Sequence, residues 1–210
     1  MKPPRRTPFI QCLRRWAGAL ALLCGLLAAR PLFAERYFTV VEAQKLCFPQ
    51  AERFEERRLV YKADAKKAIE ERAGSKLLLP VNRCWLALQG TNLLGVLVVD
   101  HVLGKHEIID YAAAVAPDGK VRQIEVLEYR ESHGYEIRSP KWREQFKGKD
   151  ATAKLRLNED IYNISGATIS CRHVADGIKR VLAAYEIVLR PQLVSGGFVS
   201  EKKSVPAAKP

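Results

Sequence analysis

The chain has 210 residues and a formal net charge of +12, from 35 Lys and Arg against 23 Asp and Glu. That length suffices for one domain with a real core and a short extension. Six of the basic residues fall before Glu35 with no acid among them, so residues 35–210 carry 29 Lys and Arg against 23 Asp and Glu, a spread-out +6. No basic stripe with interleaved aromatics appears, which argues against nucleic acid as a partner.

Residues 1–34 read as a signal peptide. Lys2, Arg5, Arg6, Arg14 and Arg15 make a basic front, and Trp16 to Ala29 is an apolar run short for a membrane span. Small Ala34 suits cleavage, with Glu35 as the first residue of the mature chain. A retained N-terminal anchor is the alternative. Either way the chain is expected to be periplasmic or otherwise exported, and membrane-associated if the anchor stays. Three cysteines then remain, Cys47, Cys84 and Cys171. They fit a Cys47–Cys84 disulfide with Cys171 left over, or three unpaired buried thiols, and their spacing fits no zinc pattern.

Residues 35–80 read as a small helical accessory region. Thr39 to Glu42 is a capping box before a short helix. Ala63 to Ala73 is rich in Ala, Lys and Glu, and Gly74 is a natural stop. From residue 81 the pattern changes to strands: Arg83 to Gln89, Leu94 to Val102, Ile108 to Ala116 and Val121 to Tyr129. Pro117-Asp118-Gly119-Lys120 between the last two is a turn and makes them a hairpin. His101 and His106 flank Gly104 without metal-ligand spacing and read as solvent-facing turn histidines. Trp142 and Phe146, four apart, predict a shared helix face ended by Gly148. Consecutive strands followed by one long helix give an α+β class, a twisted antiparallel sheet packed with helices. After Arg190-Pro191 the pattern dissolves into a flexible tail, 191–210.

The long helix is announced by Ile164-Ser165-Gly166-Ala167-Thr168-Ile169-Ser170, after which Val174, Ile178, Val181, Leu182 and Tyr185 recur at helical steps. Thr168 therefore stands at a helix N-terminus, where unpaired N–H groups and the dipole favour an anion such as phosphate. Gly166 lets the backbone approach such a ligand. The plainer reading is a turn in which Thr168 or Ser170 caps the helix.

Ser165-Gly166-Ala167-Thr168 leading into a helix resembles the flavin-attachment motif of the FMN-binding domain family. That family includes subunits of the sodium-translocating quinone reductase and of the Rnf complex. Two further blocks agree in order: Glu131 and Gly134 match a Glu-Thr-Pro-Gly loop, with Ser132 and His133 departing from it. Trp142, Phe146, Gly148 and Lys149 match a W-x-x-x-F-x-G-K segment. Where the family usually has Asp three residues before the Ser, this chain has Tyr162, with Glu159 and Asp160 upstream. The resemblance spans about residues 90–190. It implies a single FMN-binding domain, 81–190, with FMN as cofactor and Thr168 esterified to its phosphate. Ser165, Gly166, Ala167 and Ile169 would surround the linkage, and Glu131, His133, Gly134 and Tyr135 would line the flavin. The implied function is an exported electron carrier rather than a stand-alone enzyme. Its implied partners are a flavin transferase for maturation and a membrane redox complex, haem protein or quinone-linked reductase. The alternatives are a non-covalent FMN-binding or sensing module, and an interaction domain whose turn is only a helix cap.

Overall fold

The computed structural model describes residues 35–131 and 133–201. Residues 1–34, where the signal peptide is expected, Ser132 and the last nine residues lie outside the described residues. The strands are β1 (Glu35–Arg36), β2 (Arg53–Val60), β3 (Val81–Gln89), β4 (Asn92–Leu103), β5 (Ile108–Val115) and β6 (Val121–Tyr129). β2 to β6 form an antiparallel meander, and the two-residue β1 adds to the free side of β6. Every connection within the meander joins sequence neighbours. The Pro117–Lys120 turn closes the β5–β6 hairpin, with Ala116 N–H donating to Lys120 O at 2.8 Å.

Alternation along the strands divides the core between two faces. Leu86, Val98, Ile109 and Tyr111 point to a face covered by α2 (Ala63–Ala73) and α4 (Thr168–Ala184), where they join Ile69, Val174, Ile178 and Leu182. Ala87, Leu97, Ala112 and Ala114 point to the other face, covered by α1 (Val40–Cys47) through Ala43, Cys47 and Phe48. The small alanines let α1 lie close. The Thr39–Glu42 capping box starts α1, and left-handed Gly74 stops α2.

The structure departs from the sequence expectations in several places. Residues 35–80 are not only helical, because Arg53–Val60 pairs along its length with β3. The strand is hidden in the sequence by its charges, since it is the outermost strand and exposes most of one side. Trp142 and Phe146 do not share one helix. A short α3 (Pro140–Arg143) passes into a 3-10 turn, Glu144–Phe146, and the rings still meet edge to face with centroids 5.1 Å apart. Residues 190–195 are helix rather than flexible tail: α4 runs through a π-helical turn, Tyr185–Leu189, into α5 (Arg190–Ser195), where Leu193 is buried. Pro191 is tolerated there because it sits in the first turn of α5, where its missing N–H is not needed. The Cys47–Cys84 disulfide does not form. Cys47 belongs to the α1 face and Cys84 to the opposite one, so the sheet separates them. Burial pushes both thiols up to about 12. All three cysteines are free and buried. No helix among the described residues is long and apolar enough to cross a membrane.

His101 is a strand residue rather than a turn residue. It faces Asp110 across β4 and β5, with Nδ1 2.5 Å from Oδ1. That hydrogen bond raises the histidine above its ordinary pKa. A raised histidine contributes stability that is complete below its unfolded pKa and is lost as pH rises through the folded one. The stability difference between the native chain and His101→Gln should therefore be larger at about pH 6 than at about pH 9, never exceeding about 1 kcal/mol for so open a pair. Denaturant titration at the two pH values checks it.

One buried polar chain fastens α4 to the sheet. Asp100 on β4 accepts from Tyr111 Oη at 2.6 Å and from Asn82 Nδ2 at 2.9 Å. Asn82 in turn accepts from Tyr61 Oη at 3.0 Å. Arg180 of α4 lies 3.6 Å from Asp100 Oδ2 and donates to Ser75 Oγ at 3.1 Å. Gly177, one turn earlier, allows the close approach: a Cβ there would stand 2.3 Å from Tyr111 Oη.

Candidate functional site

α4 starts at Thr168 with Ala167 as its N-cap residue, and no side chain caps it. Its first backbone bond runs from Cys171 N–H to Ala167 O at 2.9 Å. The N–H groups of Thr168, Ile169 and Ser170 are thus left without an acceptor from the helix itself. The capping role open to Thr168 or Ser170 is not taken up, because both lie inside the first turn rather than at the cap position, and their hydroxyls are engaged elsewhere. Thr168 Oγ1 accepts from Asn163 Nδ2 at 2.9 Å, and Ser170 Oγ lies 3.4 Å from Tyr129 Oη. Gly166, at φ +83°, turns the chain into the helix by a left-handed conformation that favours glycine.

This helix end forms one wall of a cleft of about 470 Å³, through Gly166, Ala167, Thr168, Ile169 and Ser170. Glu131 and His133 form a second wall, and Lys105 and His106, on the turn between β4 and β5, form a third. Glu131 has a structural task as well. Its Oε1 accepts the N–H groups of His106 at 2.5 Å and Glu107 at 3.0 Å. Burial pushes the Glu131 carboxyl up, but these N–H groups, with that of Lys105, outweigh it and hold it below its ordinary value. The carboxylate therefore fixes the tip that carries Lys105 and His106. Glu131→Gln should weaken those bonds and speed amide exchange at His106 and Glu107 by about tenfold, the ratio expected for losing a charge-assisted bond of about 1.5 kcal/mol. Unchanged exchange would mean that the tip holds itself.

Gly134 lies behind the cleft. It is buried at φ +87°, and a Cβ there would come within 2.7 Å of both Ala167 Cβ and Tyr129 Oη. Tyr129 Oη donates to His133 O at 2.5 Å, so one tyrosine holds both loops at their closest approach.

Of the residues the sequence points to, Gly166, Ala167, Thr168, Ile169, Glu131 and His133 are brought together in the cleft. Gly134 supports it. Ser165 is exposed outside the lining, and Tyr135 points away, its ring 5.9 Å from the Arg138 guanidinium carbon. Lys105, His106 and Ser170 line the cleft without having been singled out for it. His106 does sit in a turn, as expected, but that turn folds back over the start of α4. The only sequence signal for it is Gly104, where a Cβ would meet Glu131 Oε1 at 2.5 Å.

The Trp142–Lys149 block shapes the approach to Thr168. Trp142 Nε1 donates to Tyr162 O at 2.8 Å, and Tyr162 N–H donates to Gln145 Oε1 at 2.6 Å. Asp160 accepts from Lys149 Nζ at 3.1 Å and from the N–H groups of Leu155 and Arg156 at 3.0 and 2.7 Å. It is thereby committed to its own loop, and Tyr162, not an acid, stands exposed ahead of the Ser165 turn. The donor set of the cleft suits a phosphomonoester: uncapped helix N–H groups, a lysine, and a threonine hydroxyl on one wall.

Residues 104–183 match the sequence profile of the family described as FMN-binding domain. The matched segment runs from the turn that holds Lys105 through nearly all of α4, and so takes in every wall of the cleft. Among solved structures, the crystal structure of Shewanella oneidensis NqrC is similar in fold. The TM-score is 0.51 at 18% identity, over 75% of this chain and 90% of that one. A comparison with curated proteins returned no match.

Proposed function

We propose that this chain, whose residues 104–183 are an FMN-binding domain, is an exported flavoprotein that carries electrons, with FMN linked through its phosphate to Thr168. The observation that carries the reading is the uncapped start of α4, with the Thr168 side chain on the wall of a cleft that also holds Lys105. The N–H groups of the first turn and the Lys105 ammonium would hold the phosphate. Gly166 and Ala167 would let it approach the backbone, and Asn163 would orient Thr168 Oγ1. FMN supplies the reversible uptake and release of electrons when bound.

Linkage requires Thr168 Oγ1 to form a bond to phosphorus. With a flavin dinucleotide as donor, the bond to the nucleoside monophosphate half breaks, that half leaves, and the hydroxyl proton passes to a base. A transferase is therefore a required partner, since no residue of the cleft supplies the activated phosphate. The basic N-terminal segment with its apolar run supports export, where a covalent bond prevents loss of the cofactor. Electrons would be exchanged with a membrane redox complex, a haem protein or a quinone-linked reductase. Tyr162 supports a second reading, a module that holds FMN without a bond, because it replaces the acid that usually precedes the attachment turn.

The test is export of the chain from a host carrying a flavin transferase, followed by a denaturing gel under ultraviolet light and an intact mass. A fluorescent band, heavier by one FMN less one water, is expected. A dark band from a yellow native protein would move the conclusion to the non-covalent module. A colourless native protein would remove the flavin function.

A further inference from the structure

Thr168 stands between two cavities. Its partner Asn163, 2.9 Å from Oγ1, lines a second groove of about 750 Å³ together with Trp142, Tyr162 and Ile164. The cleft is rimmed by Lys105, Glu131 and two histidines, whereas the exposed surface of this groove comes mainly from apolar atoms of Trp142, Tyr162 and Ile164, with Glu136, Lys141 and Glu144 at its edge. Its size lies in the range of small-molecule sites. Tyr162 is 83% exposed, yet its backbone is pinned on both sides by Trp142 and Gln145. An aromatic side chain on a fixed backbone with no ring partner among the described residues is presented for stacking.

We propose that this groove is a second seat for a planar heteroaromatic ring, and that its occupant is the isoalloxazine of the chain's own FMN. The inference rests on the flavin reading above. A phosphate held at the start of α4 leaves the ring on a flexible tether, and Asn163, which lines the groove, is bonded to Thr168, which lines the cleft. The ring in the groove stacks on Tyr162 at the protein surface, where a partner can reach it. The residue that departs from the attachment motif thus acquires a role of its own.

Lumiflavin tests this, because it has the flavin ring and no phosphate and cannot use the helix end. The full chain without cofactor is titrated with lumiflavin, following flavin fluorescence and the Trp142 indole N–H resonance. Native chain should bind and shift that resonance. Tyr162→Ala should weaken binding about tenfold, the scale of one lost aromatic contact. Lys105→Ala, which acts on the phosphate end alone, should leave it unchanged. Binding that survives Tyr162→Ala but falls with Lys105→Ala would place the ring in the cleft and overturn the proposal, as would the absence of lumiflavin binding. Failure of the flavin function itself is seen separately, as a colourless protein after export with the transferase.

Discussion

Thr168→Val is expected to yield a protein that carries no flavin through denaturation. Valine keeps the β-branched shape of threonine and removes only Oγ1. The residue is the first of α4 and half-buried, and its one side-chain partner is the exposed Asn163. Fold stability should therefore change by no more than about 0.5 kcal/mol. The fluorescent band on a denaturing gel and the FMN increment in the intact mass should both disappear. Native protein should still take up FMN reversibly, because the helix N–H groups and Lys105 remain. Thr168→Ser keeps the hydroxyl and should restore the band. A covalent flavin in the valine variant would place the linkage at another residue.

Asp100→Ala is expected to cost about 3–5 kcal/mol, the scale for removing one partner of a buried ion pair. Asp100 and Arg180 are 5% and 6% exposed, and Arg180 Nε already has no partner. Removing the carboxylate leaves the guanidinium with Ser75 alone, deprives Tyr111 Oη of its acceptor and leaves Asn82 Nδ2 with only Val99 O. Small domains have about 5–15 kcal/mol in all, so this single change uses a large share. Chemical denaturation measures it. A companion replacement, Asp100→Asn, keeps an acceptor and should cost less. A loss below about 1 kcal/mol for the alanine variant would show that α4 is held by its apolar face alone.

The strands from residue 81 onward were legible because most of them are buried on both faces, which leaves long runs of branched residues bounded by clear turns. α4 was legible because its buried face repeats at helical spacing. β2 was not, since five of its eight residues are Arg or Glu and only Leu59 is fully buried. α5 was missed because Pro191 reads as a terminator, although the first turn of a helix accepts proline. Within the site, Thr168 and Gly166 announce themselves locally. Lys105 and His106 do not, because they reach the cleft through the bond from their turn to Glu131, about 25 residues away in sequence. Glu131 was legible as a site residue, but its use as a clamp on that turn depends on the hairpin register, which a sequence pattern does not specify. Tyr135 was assigned to the cleft by its place beside Gly134, and the 3-10 turn that begins there carries it outward.

The charges of β2 have a bearing on the life of the chain before it folds. A newly made polypeptide is extended and lies beside other copies before its own strands have paired. The open side of a sheet is then a template for a neighbour. Here that strand carries Arg53, Glu55, Glu56, Arg57 and Arg58, with Glu55 paired to Arg53 and Arg57, and Glu56 to Arg83. The opposite side of the sheet ends in a strand of only two residues. Such borders repel or give no purchase to a second copy, so strand pairing is confined to the chain's own meander.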